Sequence, residues 1–284
     1  MVNEKHKHLD LLNDFSFKYL FGKESNKDIL LSFLNAIFEG QKVIKDLRYN
    51  PSEHSGAEKQ EKKILFDLLC TGSDGENFII EMQRTDQRHF RDRAIFYMSR
   101  LISQQLSRGK HNWETPLNET YLIAILDFRL KDSEPGTYLQ DISLMNKDTF
   151  KKFYNRIGYK FLELPNFVKS ESELITNLDK WVYLIKNLHL LDQLPENLDE
   201  GVFKKVFNIT EMSKLNKWQR MQYERDIRTM EAYEGGFSYA IEQATETATE
   251  NTIVQLAKKL KGTQLSLTEI SAVTNLPVAE IEKL

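Results

Sequence analysis

The chain has 284 residues, 40% of them hydrophobic and 29% charged, with a net charge of -3. That length supports a sizeable core, that hydrophobic fraction excludes a disordered chain, and the small net charge leaves any nucleic-acid surface to be local. No apolar run approaches the roughly 18 residues of a membrane span, the polar start MVNEKHKHLD has no apolar export core, and the single Cys70 excludes an intrachain disulfide, so a cytoplasmic protein without a membrane partner is expected.

Residues 13–39, NDFSFKYLFGKESNKDILLSFLNAIFE, read as two helices. Ser25 or Asn26 is placed to cap the second, and Ile29, Leu30, Phe33, Leu34 and Ile37 form its apolar stripe. Residues 43–49 are a candidate strand, and 51–60, PSEHSGAEKQ, a polar loop.

Residues 64–83, ILFDLLCTGSDGENFIIEMQ, predict a β-hairpin around Gly72-Ser73-Asp74-Gly75. Side chains alternate along a strand, so Glu81 and Gln83 share a face. A register in which partner numbers sum to 148 sets Asp67 across from Glu81, and a slip of one residue turns Asp67 away. Two buried carboxylates that meet need a proton or a cation between them. Oxygen ligands of this kind favour Mg²⁺ or Mn²⁺ over Zn²⁺. The ordinary alternative for Glu81 and Gln83 is a wet sheet face, but the apolar Phe78-Ile79-Ile80 beside them argues for a central hairpin.

Residues 89–108 predict an amphipathic helix with Ala94, Tyr97, Met98, Leu101 and Leu106 on its buried side. Residues 121–128, YLIAILDF, suit a strand buried on both faces. The order α-β-β-β-α-β implies an α/β sandwich on a mixed sheet. Further on, 158–164 is a candidate strand, 172–194 a periodic helix, and 199–233 one or two more helices. Gly235-Gly236 is a candidate hinge. Ala240, Ala244 and Ala248, and Glu242, Glu246 and Glu250, then repeat every four residues, a pattern that suits a single amphipathic helix or a coiled-coil partner surface. The last 19 residues, SLTEISAVTNLPVAEIEKL, suit two short helices around Asn275-Leu276-Pro277, an acidic helix-turn-helix-like end.

Arg84, Arg88, Arg91, Arg93, Arg100, Arg108 and Lys110 face only Asp86 and Asp92 within 84–111, a local excess of five positive charges. Arginine binds phosphate through its bidentate fork, so Arg84, Arg88, Arg91, Arg93 and Arg100 are candidate DNA contacts. An Arg-rich solvated helix face is the plainer reading. Tyr97 reads as core, and the six histidines show no zinc-ligand spacing.

The hairpin and the element order resemble the core of the PD-(D/E)XK (restriction-endonuclease-like) nucleases. In that family an Asp and a Glu bind a divalent cation, and a Lys two residues after the Glu activates water. Asp67 and Glu81 occupy the first two places and Gln83 the third, where it can hold a water but supplies no positive charge. The segments NDFSFKYLFG, FIIEMQ, RAIFYMSRL and FLELPNFVKSESELITNLDKWVYLIKN together resemble the recombination-promoting nuclease and transposase branch, which carries Glu-X-Gln. The resemblance implies an α/β PD-(D/E)XK domain over 1–170, a helical extension over 171–235 and a C-terminal helical segment over 236–284. It also implies a metal-dependent DNA endonuclease linked to recombination or mobile elements, with Asp67, Glu81 and the Met82 carbonyl as ligands of Mg²⁺ or Mn²⁺, and no small-molecule cofactor. With two sites needed to cut both strands, a homodimer is expected. Gln83 would position water. Asp14, from the N-terminal helix, either faces the site or caps its helix. Lys18 either replaces the missing charge or lies on a solvated face. The alternative is a nuclease fold that binds DNA or protein without cutting.

Overall fold

A computed structural model describes residues 6–51, 53–54, 64–86, 88–105, 116–199 and 201–284. Most of the expected polar loop, together with Leu106, Arg108, Lys110 and His111, lies outside the described residues. Two compact units divide the chain, Met1–Glu224 and Arg225–Leu284.

The first unit opens with α1 (Asp14–Phe21) and α2 (Lys27–Ile37). Asn13 caps α1, its side chain accepting from the Ser16 N–H at 3.3 Å. Asn26 stands at the start of α2 without capping it; its amide donates to the Tyr19 carbonyl at 3.2 Å instead. The strands are β1 (Leu47–Tyr49), β2 (Glu53–His54), β3 (Ile64–Leu65), β4 (Leu68–Gly72), β5 (Asn77–Gln83), β6 (Thr120–Leu126), β7 (Leu139–Met145) and β8 (Lys152–Glu163). Six of them form one sheet in the order β1-β4-β5-β6-β8-β7, while β2 pairs with β3.

The sheet is mixed. The pairs β1–β4, β4–β5 and β7–β8 are antiparallel, and β5–β6 and β6–β8 are parallel. The helix α3 (Phe90–Gln104) is the crossover from β5 to β6, because parallel neighbours cannot be joined by a tight turn. At the β4–β5 turn, Gly75 holds φ +86°, and a Cβ on Gly72 would run into the Glu76 carboxylate. The positive φ calls for glycine at position 75, while a side chain at position 72 would have to displace the Glu76 carboxylate.

Helices cover both faces, which explains the unbroken apolar runs of β5 and β6. Phe78 and Ile80 on β5, with Ile123 and Ile125 on β6, pack under α1, α2, α4 (Asn177–Asn187) and α5 (Gly201–Ile209). Trp181 of α4 is fully buried there among Phe21, Phe33 and Phe203. On the other face Ile79, Leu122, Ala124, Leu126 and Phe161 pack against Phe90, Ala94, Met98 and Leu101 of α3. The helices of 177–209 thus share one core with α1 and α2.

Two expectations change. The candidate strand at 158–164 is the second half of a longer strand, with β7 alongside it as an edge. Gly235 and Gly236 lie inside α6 (Lys217–Lys261), a helix of 45 residues, rather than at a break; glycine costs a helix only about 1 kcal/mol per residue. In the second unit α7 (Leu267–Thr274) and α8 (Val278–Lys283) fold back on α6 around Ala257, Ile270 and Ile281. Asn275, at φ 55°, makes the turn between α7 and α8.

Candidate functional site

The centre of the hairpin places the acidic residues. β4 and β5 pair Leu68 with Ile80 and Leu69 with Ile79, so partner numbers sum to 148. Strand pairing stops at Leu68, one residue short of Asp67. Asp67 and β5 bond crosswise instead: the Asp67 N–H donates to Glu81 Oε1 at 3.3 Å, and the Met82 N–H donates to Asp67 Oδ2 at 2.9 Å. A strand residue sends its N–H and C=O toward the same neighbour. The Met82 carbonyl therefore also faces the side where Asp67 sits.

Glu81 and Gln83 share the parity of Ile79 and point toward α3. Glu81 pairs with Ala124 in the centre of the sheet and is 6% exposed. Burial, then the charge of Asp67, pushes its carboxyl up to about 8, against the pull of the Asp67 N–H, Arg93 and Lys18. Burial also raises Asp67, with Asp14 adding to the rise, while the Met82 N–H, Lys18 and Arg93 act in the opposite direction. Two carboxylates this close in a dry setting are poised to share a proton or take a cation.

The neighbouring groups are cationic. Arg93 of α3 donates from Nη2 to Gln83 Oε1 at 2.5 Å, and Gln83 Nε2 lies 3.4 Å from Glu81 Oε2. Lys18 pairs with Asp14 at 2.7 Å, one turn apart on α1, both side chains about half exposed. Asp14 is not the cap of α1, since Asn13 holds that position. Tyr97 meets the Phe66 ring edge-on, 5.3 Å between centroids. Its hydroxyl pKa is raised by burial and by the charge of Glu81.

The remaining arginines are dispersed. Arg84 pairs with Asp10 at 2.9 Å, and Arg91 pairs with Asp132. Arg88 is exposed and Arg100 half-buried. Reading the stretch as one basic face missed that Arg93 turns inward to Gln83. Its helical position gave a clue: Arg93 precedes the buried Ala94 and lies one turn before Tyr97.

Asp67, Glu81 and the Met82 carbonyl offer hard oxygen donors. Among the described residues no group of three or more His, Cys, Asp or Glu side chains is arranged to hold a metal. Mg²⁺ is commonly bound through one or two carboxylates plus waters and substrate phosphates, so this donor set fits an open Mg²⁺ or Mn²⁺ site and not a closed structural one.

The sequence profile of the PD-(D/E)XK nuclease family transposases matches residues 11–235. The chain belongs to this family. Its mixed six-stranded sheet with flanking helices is the family's α/β fold. The match takes in the hairpin, α3 and the α4–α5 layer. No curated protein and no solved structure matches the chain. A PD-(D/E)XK nuclease family is a family of hydrolases, and the transposase description ties it to mobile elements. Among the described residues no helix is long and apolar enough to cross a membrane.

Proposed function

We propose that this protein is a metal-dependent DNA endonuclease acting in the cytoplasm on chromosomal or mobile-element DNA. The observation that carries the reading is the crosswise bonding of Asp67 to Glu81 and Met82 at the end of the β4 ladder. It holds the half-buried Asp67 carboxylate, the buried Glu81 carboxylate and a backbone carbonyl on one side of β5. When bound there, Mg²⁺ or Mn²⁺ lowers the pKa of a coordinated water and neutralises charge on the scissile phosphate.

The chain's own residues do the positioning. Asp67 and Glu81 would be the ligands, the first held by the Met82 N–H and the second by the Asp67 N–H, and the Met82 carbonyl would complete their set. Gln83 takes the place of the lysine of the wider PD-(D/E)XK nucleases. Arg93 occupies its amide oxygen, which leaves the amide N–H groups to donate toward Glu81 and a water beside it. Arg93 also supplies the positive charge that a glutamine lacks, so cation and water-holder are divided between two side chains. Lys18 and Asp14 form a second charged rim. Arg88 is an exposed phosphate contact, while Arg84, Arg91 and Arg100 would exchange their present partners, Asp10 and Asp132 among them, for phosphate only when DNA competes. The protein works as a homodimer, because cutting both strands takes two sites.

The test is nicking and linearisation of supercoiled plasmid with Mg²⁺ or Mn²⁺, wild type beside Asp67→Ala and Glu81→Ala. Activity that disappears in both variants supports the assignment. No cleavage by the wild type, with DNA still bound, favours a nuclease fold that only binds.

A further inference from the structure

The sheet continues at one corner as a two-stranded arm. β6 pairs with β8 only from Ile157 onward. Before that residue β8 has β7 as its sole partner, with register shifts between Ser143 and Leu144 and between Leu144 and Met145. The tip is ordered: the Asn146 side chain accepts from the Asp148 and Thr149 N–H groups at 2.9 Å, and the Phe150 N–H donates to the Asn146 carbonyl at 2.9 Å.

What the arm displays is unusual for a free hairpin. Phe150 and Phe153 are each 78% exposed, and Leu144 and Met145 are about half exposed. Phe150 sits at φ 53°, a conformation that is a genuine outlier for an aromatic side chain. Lys147, Lys151 and Lys152 are neighbours of these rings in the chain, with Asp148 as the acid among them. Among the described residues none of the three lysines has a carboxylate partner. Two rings this exposed, one at the tip and one just inside β8, leave apolar surface in water that a partner can cover.

We propose that the β7–β8 arm is a second DNA contact, a basic ribbon that enters a groove of the duplex with Phe150 and Phe153 as apolar wedges. The proposal rests on the reading that this protein acts on DNA. Width and charge select the occupant. Two-stranded ribbons dock in the grooves of a duplex, the minor groove included, lysines neutralise phosphates, and apolar wedges entered from the minor groove part base steps. A second copy of the arm would instead set like charges against each other. The register also fixes the reach. Glu81, Ala124 and Phe161 lie side by side across three strands, and Phe153 is eight residues before Phe161. At about 3.3 Å per residue along the strand and about 4.8 Å for each of the two strand spacings, the wedge sits about 28 Å from the carboxylates, or about 8 base pairs of duplex at 3.4 Å each.

The experiment measures binding of the full-length protein to fluorescein-labelled 30-base-pair and 12-base-pair duplexes by anisotropy, in EDTA and across a salt series. Wild type is set beside Lys147→Gln/Lys151→Gln/Lys152→Gln and beside Phe150→Gly/Phe153→Ser. Glycine at 150 relieves the backbone, so the second variant folds at least as readily there, and melting curves check both. The lysine variant is expected to bind the long duplex at least tenfold more weakly, with the slope of log affinity against log salt reduced by about 3. The phenylalanine variant is expected to keep the slope, bind several-fold more weakly and lose the fluorescence rise of a 2-aminopurine step in the duplex. Affinity and slope equal to wild type in both variants overturn the arm and leave the nuclease reading standing. Variants that change sedimentation but not DNA binding overturn it in favour of self-association. A wild type that cuts nothing yet shows the arm-dependent difference removes the nuclease reading and leaves the arm. That difference, measured again in Asp67→Ala, is expected to persist.

Discussion

Arg93 and Gln83 meet head to head: the guanidinium Nη2 of one lies 2.5 Å from the amide oxygen of the other. One residue ends β5 and the other lies in the first turn of α3. The crossover helix therefore grips the strand at the point where the candidate chemistry sits. A cation held by an amide beside two carboxylates does two things at once. It fixes which end of the amide faces Glu81, and it offsets the repulsion between Glu81 and Asp67.

Removal of either function is expected to slow cleavage. Arg93→Ala should cost about 10²-fold in kcat, the usual loss for one preorganised donor near developing charge. Arg93→Lys keeps the charge but not the fork, so it should recover only part of that rate. Gln83→Lys placed on top of Arg93→Ala returns a cation to the position where the wider PD-(D/E)XK nucleases carry lysine and should restore activity above that of Arg93→Ala alone. Single-turnover plasmid nicking across this cycle of variants decides the matter. Additive losses, with no recovery in the double variant, would sink the division of labour between the two residues.

Glu81 carries a pH signature. Its carboxyl is raised to about 8 in the folded protein, and burial is the main cause. The unfolded chain releases the same proton near pH 4.3. Between those values the native state holds a proton that the unfolded state lacks, so this residue's contribution falls as pH rises. The metal-free protein should lose melting temperature from pH 5 to pH 8 more steeply than Glu81→Gln, which mimics the protonated form at every pH. Mg²⁺ favours the charged form, so its affinity should climb over the same window and its addition should flatten the wild-type slope. Identical pH profiles for wild type and Glu81→Gln in EDTA would contradict the assignment of the proton.

Asp179 is a stability test away from the site. It is fully buried and collects the Lys169 ammonium and the Tyr138 hydroxyl, both at 2.6 Å, and the Ile175 and Thr176 N–H groups. Burial opposes its ionisation, but these donors prevail and hold the carboxyl well below its usual range. With a depressed pKa the contribution is present above the unfolded value and is lost on acidification. Asp179→Ala leaves Lys169 and two N–H groups unanswered, which should cost about 3 kcal/mol. Thermal unfolding at pH 7 should show a midpoint lower by roughly 6–12 °C. A drop of under two degrees would mean that water takes over the donors.

The hairpin was legible because its signals are local. Gly72 and Gly75 set the turn, and the strands on either side fix the register by their apolar alternation. The break at Phe66–Asp67 was not legible, since it arises from bonds between a side chain and the backbone of β5. β7 escaped notice for a different reason. Its sequence LQDISLM has no buried face, because it is an edge strand, and its only large neighbour is β8. Arg93 was visible as a basic residue, but its direction depends on how α3 packs over Ile79 and Phe161. Asp10, the partner of Arg84, lies 74 residues away in the chain, a distance that no local pattern spans.

The tail of α6 offers a last prediction. Tyr233, Phe237 and Ile241 are each more than half exposed, and the two rings stack with planes 4° apart. Ile241, Ala244, Ala248 and Thr252 then follow at intervals of three or four residues, one stripe along the helix. Small residues in a row let a second helix approach closely, and large apolar residues at one end give it something to bury. A helix exposed over so much of its length gains little from its own packing, so another copy of the same stripe is the economical cover. Light scattering after gel filtration should give twice the 33.3 kDa of the chain. Phe237→Ser/Ile241→Ser should shift the protein to the monomer while the melting of the first unit stays in place. It should also change linearisation of plasmid more than nicking, because one site suffices to nick and two are needed to cut both strands. A wild type that elutes as a monomer at every concentration would refute the pairing.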